Sequence, residues 1–206
     1  ALMTNMKMMK LPINVIVLLS LGAVVLWPCT MGVTAMGGEQ IEKIYEGTAP
    51  ELRVTFRYPG RWPVQEERGT RQPYQAVRIM APRNAEGTYT SHVSVRGFRI
   101  KSQGGQYESA EELVAQYKRH LLPDAQVIAE GSRKLGGLTA TEILVSYTIP
   151  AIHHKDIKAA PVPIKERKVV LADPPYLYEL SYVADSREYD RYADHFERLL
   201  ESFQVQ

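Results

Sequence analysis

Residues 165–203 read KERKVVLADPPYLYELSYVADSREYDRYADHFERLLESF, and two kinds of periodicity follow one another in this stretch. Lys165 to Ala172 and Tyr176 to Ala184 have the composition of strands, and Asp173-Pro174-Pro175 separates them, which predicts a hairpin. After Asp185 or Ser186, either of which can cap a helix, apolar residues recur every three or four positions. They are Tyr189, Tyr192, Ala193, Phe196, Leu199, Leu200 and Phe203. The stretch therefore predicts a hairpin followed by an amphipathic helix.

Further strands are predicted upstream from alternation and from turn residues. They cover Leu52–Tyr58, Tyr74–Met80, His92–Ile100, Gln126–Ser132 and Leu138–Ile149. Gly136-Gly137 joins the last two, and glycine supplies the positive φ angles of a tight hairpin. Successive hairpins favour an antiparallel sheet, which needs helices to cover its apolar faces.

A second helix is predicted from Ser109-Ala-Glu-Glu112, which has the spacing of a capping box. Leu113, Val114, Tyr117, His120 and Leu121 follow at helical spacing, and Pro123 is expected to end the helix. The predicted fold class is α+β, an α/β/α sandwich with a central antiparallel sheet covered by helices.

Residues 1–35 have the pattern of a signal peptide or a membrane anchor. Lys7 and Lys10 precede a nearly continuous apolar run from Leu11 to Trp27. This run barely reaches the thickness of a bilayer core, so a secretory signal is favoured over an uncleaved single-span anchor. Val33-Thr34-Ala35 offers small residues for cleavage before Met36.

Lipidation of Cys29 is a third possibility for the leader. Leu26 suits a lipobox, but Trp27 and Pro28 stand where small residues are preferred. All three alternatives place the rest of the chain outside the cytoplasm, as a periplasmic or secreted domain with or without an anchor. Cys29 is the only cysteine, so the domain contains no disulfide within its own chain.

The remainder divides into a linker at residues 36–50, with a short strand or turn near Ile41 to Tyr45, and a domain at residues 51–206. Beyond the leader, 23 basic residues face 23 acidic ones. This balance gives no electrostatic reason to bind nucleic acid. Lys165, Glu166, Arg167 and Lys168 are interpreted as a solvated strand face.

A metal site is the sharpest chemical hypothesis. His153-His154-Lys155-Asp156 lies in a polar, proline-rich loop at residues 150–163. His153, His154 and Asp156 carry ligand groups that suit zinc or a similar divalent cation. Adjacent side chains on an extended segment point apart, however, so an exposed loop without metal is the simpler interpretation.

No catalytic residue or organic cofactor is predicted, because the sequence has no nucleophile elbow, phosphate loop or dinucleotide fingerprint. Tyr176 and Tyr178 share one face of their predicted strand. An exposed tyrosine pair suits a protein interface, so these two residues are the predicted partner-binding positions.

An ordered series of motifs resembles the PsbP-like family, which comprises the extrinsic photosystem II subunit PsbP and its bacterial relatives. The series is Phe56-Arg-Tyr58-Pro59-Gly-Arg-Trp62, the strand His92–Arg99, the capping-box helix at Ser109, Leu138–Tyr147 after Gly136-Gly137, Tyr176–Tyr182, and Tyr189–Phe203 with its Glu201-Ser202-Phe203 ending. The resemblance runs from about residue 50 onward.

The resemblance implies an α/β/α sandwich and a mostly non-catalytic role. Plant members assist the manganese–calcium cluster, and others bind protein partners. It therefore implies an exported accessory protein that binds a protein or a membrane-associated assembly at the outer face of the cytoplasmic membrane. The alternative is a divalent-metal-binding extracytoplasmic protein that uses the loop at His153.

Overall fold

The computed structural model of the chain describes residues 41–69, 74–150 and 160–206. The described elements are ten strands and two helices, numbered in chain order. They are β1 (Glu42–Glu46), β2 (Val54–Pro59), β3 (Val64–Arg68), β4 (Tyr74–Arg83), β5 (Thr90–Arg99), α1 (Ala110–Arg119), β6 (Gln126–Leu135), β7 (Leu138–Ile149), β8 (Val162–Asp173), β9 (Tyr176–Asp185), α2 (Tyr189–Ser202) and β10 (Gln204–Val205).

The strands form two antiparallel sheets. The larger has seven strands in the order β3-β4-β5-β9-β8-β7-β6, and the smaller has the order β1-β2-β10. Neighbours along the chain pair with each other in most of the larger sheet, but β5 pairs with β9, with Val95 opposite Leu180. The β6–β7 hairpin turns at Gly136 and Gly137, whose φ angles are 55° and 84°, as the predicted tight turn requires.

Helix α1 begins at the predicted capping box. Ser109 Oγ accepts a hydrogen bond from the Glu112 backbone N–H at 3.2 Å. The Glu112 carboxylate reaches back one residue further than expected, to the N–H of Glu108 at 2.8 Å. The helix ends at Arg119, four residues before the proline that was expected to end it, and packs Leu113 and Val114 on one face of the larger sheet.

Helix α2 covers the opposite face of the larger sheet. Its buried residues are Tyr189, Tyr192, Phe196, Leu199 and Leu200. They pack against alternate residues of β9, including Tyr178, Leu180 and Tyr182, so the predicted apolar stripe is confirmed. The smaller sheet contributes Val54 and Phe56 to the same core.

Gly97 of β5 allows a turn of the chain to approach the sheet closely. A Cβ atom at this position would lie 1.6 Å from the carbonyl oxygen of Glu51. Residues Pro50–Leu52 form a short 3₁₀ turn there, and Leu52 is buried in the main core. Only glycine therefore lets this turn close over β5.

Asp185 does not cap α2, contrary to the sequence prediction, and neither does Ser186. The N-cap position is Glu188, with no side-chain capping bond. Asp185 lies at the end of β9 and is completely buried. It accepts hydrogen bonds from Asn84 Nδ2 at 2.9 Å and from the Arg187 backbone N–H at 3.0 Å, so it fastens the β4–β5 loop to β9.

Asp185→Asn should destabilise the protein more at pH 6 than near pH 2.5. Hydrogen bonds from Arg187 and Asn84 lower the pKa of the native carboxyl to about 2, although burial opposes ionisation. The pKa of this carboxyl in the unfolded chain is about 3.9. The stabilisation that the carboxylate contributes to the folded state is therefore fully present above that pH and is lost as the pH falls towards 2. Urea unfolding of both proteins at several pH values measures the difference. Asp194→Asn, an exposed control, should show a small difference throughout; a pH-independent penalty for Asp185→Asn contradicts the assignment.

The described domain is α+β, mostly antiparallel sheet with one helix on each face of the larger sheet. It differs from a simple α/β/α sandwich because the smaller sheet shares the α2 face. The strand expected near Ile41 to Tyr45 is β1, which pairs with β2 in register Tyr45–Phe56. Strand β3 was not predicted.

Candidate functional site

The face of the larger sheet that carries α1 has charged residues at its centre. Glu166 and Lys168 come from β8, Glu179 from β9 and Arg96 from β5. Lys168 Nζ lies 3.3 Å from Glu166 Oε1 and 3.0 Å from Glu179 Oε2. Arg96 Nη1 lies 3.6 Å from Glu179 Oε1. The four residues form one network, here called the central charge network.

Three members of the central charge network are buried. Glu166, Lys168 and Glu179 are 8%, 5% and 6% exposed, respectively. Burial opposes ionisation of Glu179, but the neighbouring charges of Lys168 and Arg96 outweigh it and hold the pKa of this carboxyl below its ordinary value. The expectation that residues 165–168 form a solvated face is therefore wrong for Glu166 and Lys168. Alternate residues of β8 point to this face and are covered by α1.

Two tyrosines complete the network. Tyr147 donates a hydrogen bond from its hydroxyl to Glu166 Oε2 at 3.0 Å. Lys168 Nζ lies 4.3 Å from the centre of the Tyr117 ring, which α1 supplies. Burial and the charge of Glu166 raise the pKa of both phenols, so both remain protonated at neutral pH.

An open groove of about 310 Å³ lies beside the network, between α1 and the sheet. Its described lining residues are Tyr74, Arg96, Phe98, Tyr107, Leu113, Gln116, Tyr117, His120 and Glu179. Phe98 lies between two tyrosines, with ring centres 6.0 Å from Tyr74 and 6.1 Å from Tyr107. The groove, here called the α1 groove, thus combines half-buried aromatic rings with a charged floor.

Arg96 is the cation that faces the α1 groove. Its guanidinium lies 5.8 Å from the centre of the Tyr74 ring. Within the described residues its one ion pair is the 3.6 Å contact with Glu179, and about a third of its side chain is exposed. A guanidinium in this setting can donate two parallel hydrogen bonds to a carboxylate or phosphate. The groove can therefore hold an apolar or aromatic group and an adjacent anion.

Three further polar residues of this face have close polar neighbours. Ser94 and Ser181 share a hydrogen bond at 2.8 Å. His92 Nδ1 lies 3.5 Å from the carbonyl oxygen of Thr90, and burial together with Arg78 lowers the pKa of His92. Among the described residues, neither serine has a hydrogen bond to a histidine or carboxylate side chain.

The predicted metal ligands His153, His154 and Asp156 lie outside the described residues, so the metal hypothesis stays a prediction. In the part of the chain that the structure describes, no group of three or more His, Cys, Asp or Glu side chains could hold a metal ion. The leader, with Cys29 and the proposed cleavage before Met36, also lies outside it. Among the residues of known placement, neither helix is long and apolar enough to cross a membrane.

The predicted exposed pair Tyr176 and Tyr178 needs correction. Tyr178 is completely buried, and its ring packs edge-on against Phe203, with centres 6.0 Å apart. Tyr176 is half-buried beside it. The two residues do share a face, as predicted, but α2 and Phe203 cover that face at Tyr178. Contact of Tyr176 with a partner stays a prediction.

The α1 groove was not predicted from the sequence because its residues come from separate elements. Tyr74 and Phe98 are cross-strand partners of β4 and β5, while Tyr117 belongs to α1. One signal was available: Arg96 and Phe98 alternate with buried apolar residues of β5, which places them on a common second face. That signal indicates a shared face, but it does not show which residues of β9 and α1 meet them.

The solved structures that share this fold include two that match over most of their length. The cyanobacterial PsbP (CyanoP) of Synechocystis sp. PCC 6803 matches at a TM-score of 0.50 and 16% identity, over 85% of this chain and 99% of that one. LpqN of Mycobacterium tuberculosis, described as involved in cell envelope biogenesis, also matches at a TM-score of 0.50 and 16% identity, over 81% of this chain and 91% of that one. The domain therefore has a PsbP-like fold. No protein-family model and no curated protein matches the sequence.

Proposed function

We propose that this protein is a non-catalytic binding module that acts outside the cytoplasm, at the outer face of the cytoplasmic membrane, and holds a partner protein in the α1 groove. The observation that carries the proposal is Arg96, a loosely paired guanidinium among half-buried aromatic rings. Tyrosine and arginine are enriched among the residues that dominate protein-binding energy.

The chemistry of the groove specifies the partner segment. Tyr74, Phe98 and Tyr107 favour an apolar or aromatic side chain, since stacked or edge-on rings attract one another beyond their area burial. Arg96 favours a nearby carboxylate. We therefore expect a segment that presents an apolar group beside an acidic side chain or a chain-terminal carboxylate.

The extracytoplasmic setting is supported by the leader pattern of residues 1–35 and by the description of LpqN as a protein of cell envelope biogenesis.

The central charge network supports the binding of a partner in the α1 groove. It holds α1 against the sheet through Tyr117 and Lys168, so the groove is pre-formed and binding does not have to order it.

Site-specific photocrosslinking in the native membrane fraction tests the location of the site. A photoreactive residue at Gln116, on the groove rim, should give a discrete adduct with one protein. The same residue at Asp194, on the exposed side of α2, should give none. Equal labelling from both positions would contradict a site in the groove.

Arg96→Gln separates binding from folding. Glu179 keeps its 3.0 Å contact with Lys168 in this variant, so the urea midpoint should change little. Loss of a charge-assisted hydrogen bond should lower the affinity for the partner by about tenfold or more. The adduct from Gln116 should therefore disappear at limiting partner concentration. An undiminished adduct would show that Arg96 takes no part in binding.

A further inference from the structure

A second cavity, of about 540 Å³, lies between α2 and the ends of β2 and β4, away from the α1 groove. Its described lining residues are Ile41, Pro59, Gly60, Arg61, Trp62, Pro63, Met80, Ala81, Pro82, Arg191, Tyr192 and His195. This cavity is called the Trp62 pocket. Its volume lies within the range of small-molecule sites, about 300–1,000 Å³.

The walls of the Trp62 pocket are fixed by backbone hydrogen bonds. The N–H of Gly60 donates to Ile41 O at 2.7 Å, and the N–H of Met80 donates to Pro63 O at 2.9 Å. The Trp62 ring packs edge-on against Tyr192 and His195, with ring centres 5.3 and 5.1 Å away. The pocket is therefore formed before any ligand arrives.

The interior of the pocket is mostly apolar, and several of its backbone donors are absent or already paired. Pro59, Pro63 and Pro82 line it, and proline has no backbone N–H to donate. Trp62 and Met80 add apolar side chains. Such walls favour the aliphatic or aromatic body of a ligand, because burying it costs no hydrogen bond.

The charged residues of the pocket are all basic among the residues that the structure describes. Arg61 is exposed and forms no ion pair with any other described residue. Arg191 lies over the Tyr192 ring, 5.2 Å from its centre, and is only loosely paired with Glu188 at 3.7 Å. His195 has a lowered pKa, because of burial and Arg198, and so adds a hydrogen-bonding group without a charge at neutral pH.

We propose that the Trp62 pocket is a second binding site, specific for a small anionic amphiphile. Its apolar body lies against Trp62, Met80 and the prolines, and its carboxylate or phosphate group is bound by Arg61 and Arg191. A small anion without an apolar body makes no apolar contact with the walls, so it should bind weakly. A neutral apolar molecule leaves the guanidinium groups of Arg61 and Arg191 without an anionic partner, so it should also bind weakly.

Tryptophan fluorescence of the full chain tests the proposal. The sequence contains two tryptophans, so Trp27→Phe makes Trp62 the only one. Decanoate and decyl phosphate, used below their critical micelle concentrations, should each change the emission of Trp62 until the site is saturated. The probe that binds with the higher affinity shows which anionic group, carboxylate or phosphate, the pocket prefers. The matched alcohol 1-decanol should bind at least about tenfold more weakly, the loss expected for charge-assisted hydrogen bonds. Butyrate should have no effect.

Arg61→Ala with Arg191→Ala should reduce the affinity for decanoate to that for 1-decanol. Both side chains are exposed, so the urea midpoint should stay the same. Arg119→Ala, an exposed arginine of α1 outside the pocket, should leave binding unchanged. Equal affinities for decanoate and 1-decanol in the parent chain, or emission that does not saturate with any probe, would overturn the proposal. These results do not bear on the α1 groove, which the crosslinking experiment tests separately.

Discussion

Replacing Phe196 with alanine should lower the free energy of unfolding by about 3–5 kcal/mol, the usual cost of removing a buried aromatic ring. The Phe196 side chain is completely buried, and its ring centre lies 5.9 Å from that of Tyr182. The guanidinium of Arg167 lies 5.7 Å from the same ring, so it cannot collapse into the cavity without losing its bonds to Glu142 and Glu197. The loss is a large share of a typical stability of about 5–15 kcal/mol.

Urea unfolding of the parent and of the variant measures this loss. Phe196→Leu keeps most of the volume and should cost less than about 1.5 kcal/mol. Asp194→Ala, an exposed position on α2, should stay within about 0.5 kcal/mol of the parent. An unchanged midpoint for Phe196→Ala would mean that α2 does not cover the sheet as described.

Lys168→Met should also destabilise by about 3–5 kcal/mol, because it leaves buried Glu166 without its cation and Glu179 with Arg96 alone. Lys168 lies between Glu166 and Glu179, and all three side chains are almost inaccessible to water. The penalty should decrease at acidic pH, since protonation of a buried carboxylate removes its unpaired charge. Urea midpoints at pH 7 and pH 4 measure both effects.

The double variant Lys168→Met with Glu166→Gln distinguishes a buried pair from a packing effect. Removing both charged groups should recover much of the loss, because Glu179 keeps its contact with Arg96 and no buried charge is then left without a partner. Lys101→Ala, at an exposed position, is the control for lysine removal. A double variant no more stable than Lys168→Met alone would contradict the network.

The strands and helices that repeat an apolar pattern could be predicted from the sequence. The stripe from Tyr189 to Leu200 has helical spacing, and its burial under the smaller sheet and against β9 follows from that spacing. Strand β3 was not predicted because its residues Gln65 to Arg68 are all polar, which is typical of an edge strand. Pairing with β4, rather than burial of its own side chains, makes it a strand.

The candidate site could not be predicted because it depends on which strands become neighbours. Glu166 and Lys168 alternate with Arg167 in a pattern that suits a solvated face equally well. Their burial results from the cross-strand neighbours of β8 and from the helix that covers them. The same ambiguity explains Tyr178: alternation assigns it the same face as Tyr176, but the cover on that face comes from Phe203, far along the chain.

The pairing of β5 with β9 sets the order in which this domain can fold. Strands β6 to β9 form a continuous meander. The β6–β7 and β8–β9 hairpins turn over two residues each and can close quickly, whereas twelve residues connect β7 to β8. Strand β5 can pair with β9 only late in synthesis, since α1 and three strands lie between them in the chain. Until then its free edge, ten residues long, can pair with other extended chains. A nascent polypeptide that ends before Tyr176 therefore presents an open strand edge, and shielding it during synthesis or transport is a requirement that the topology itself creates.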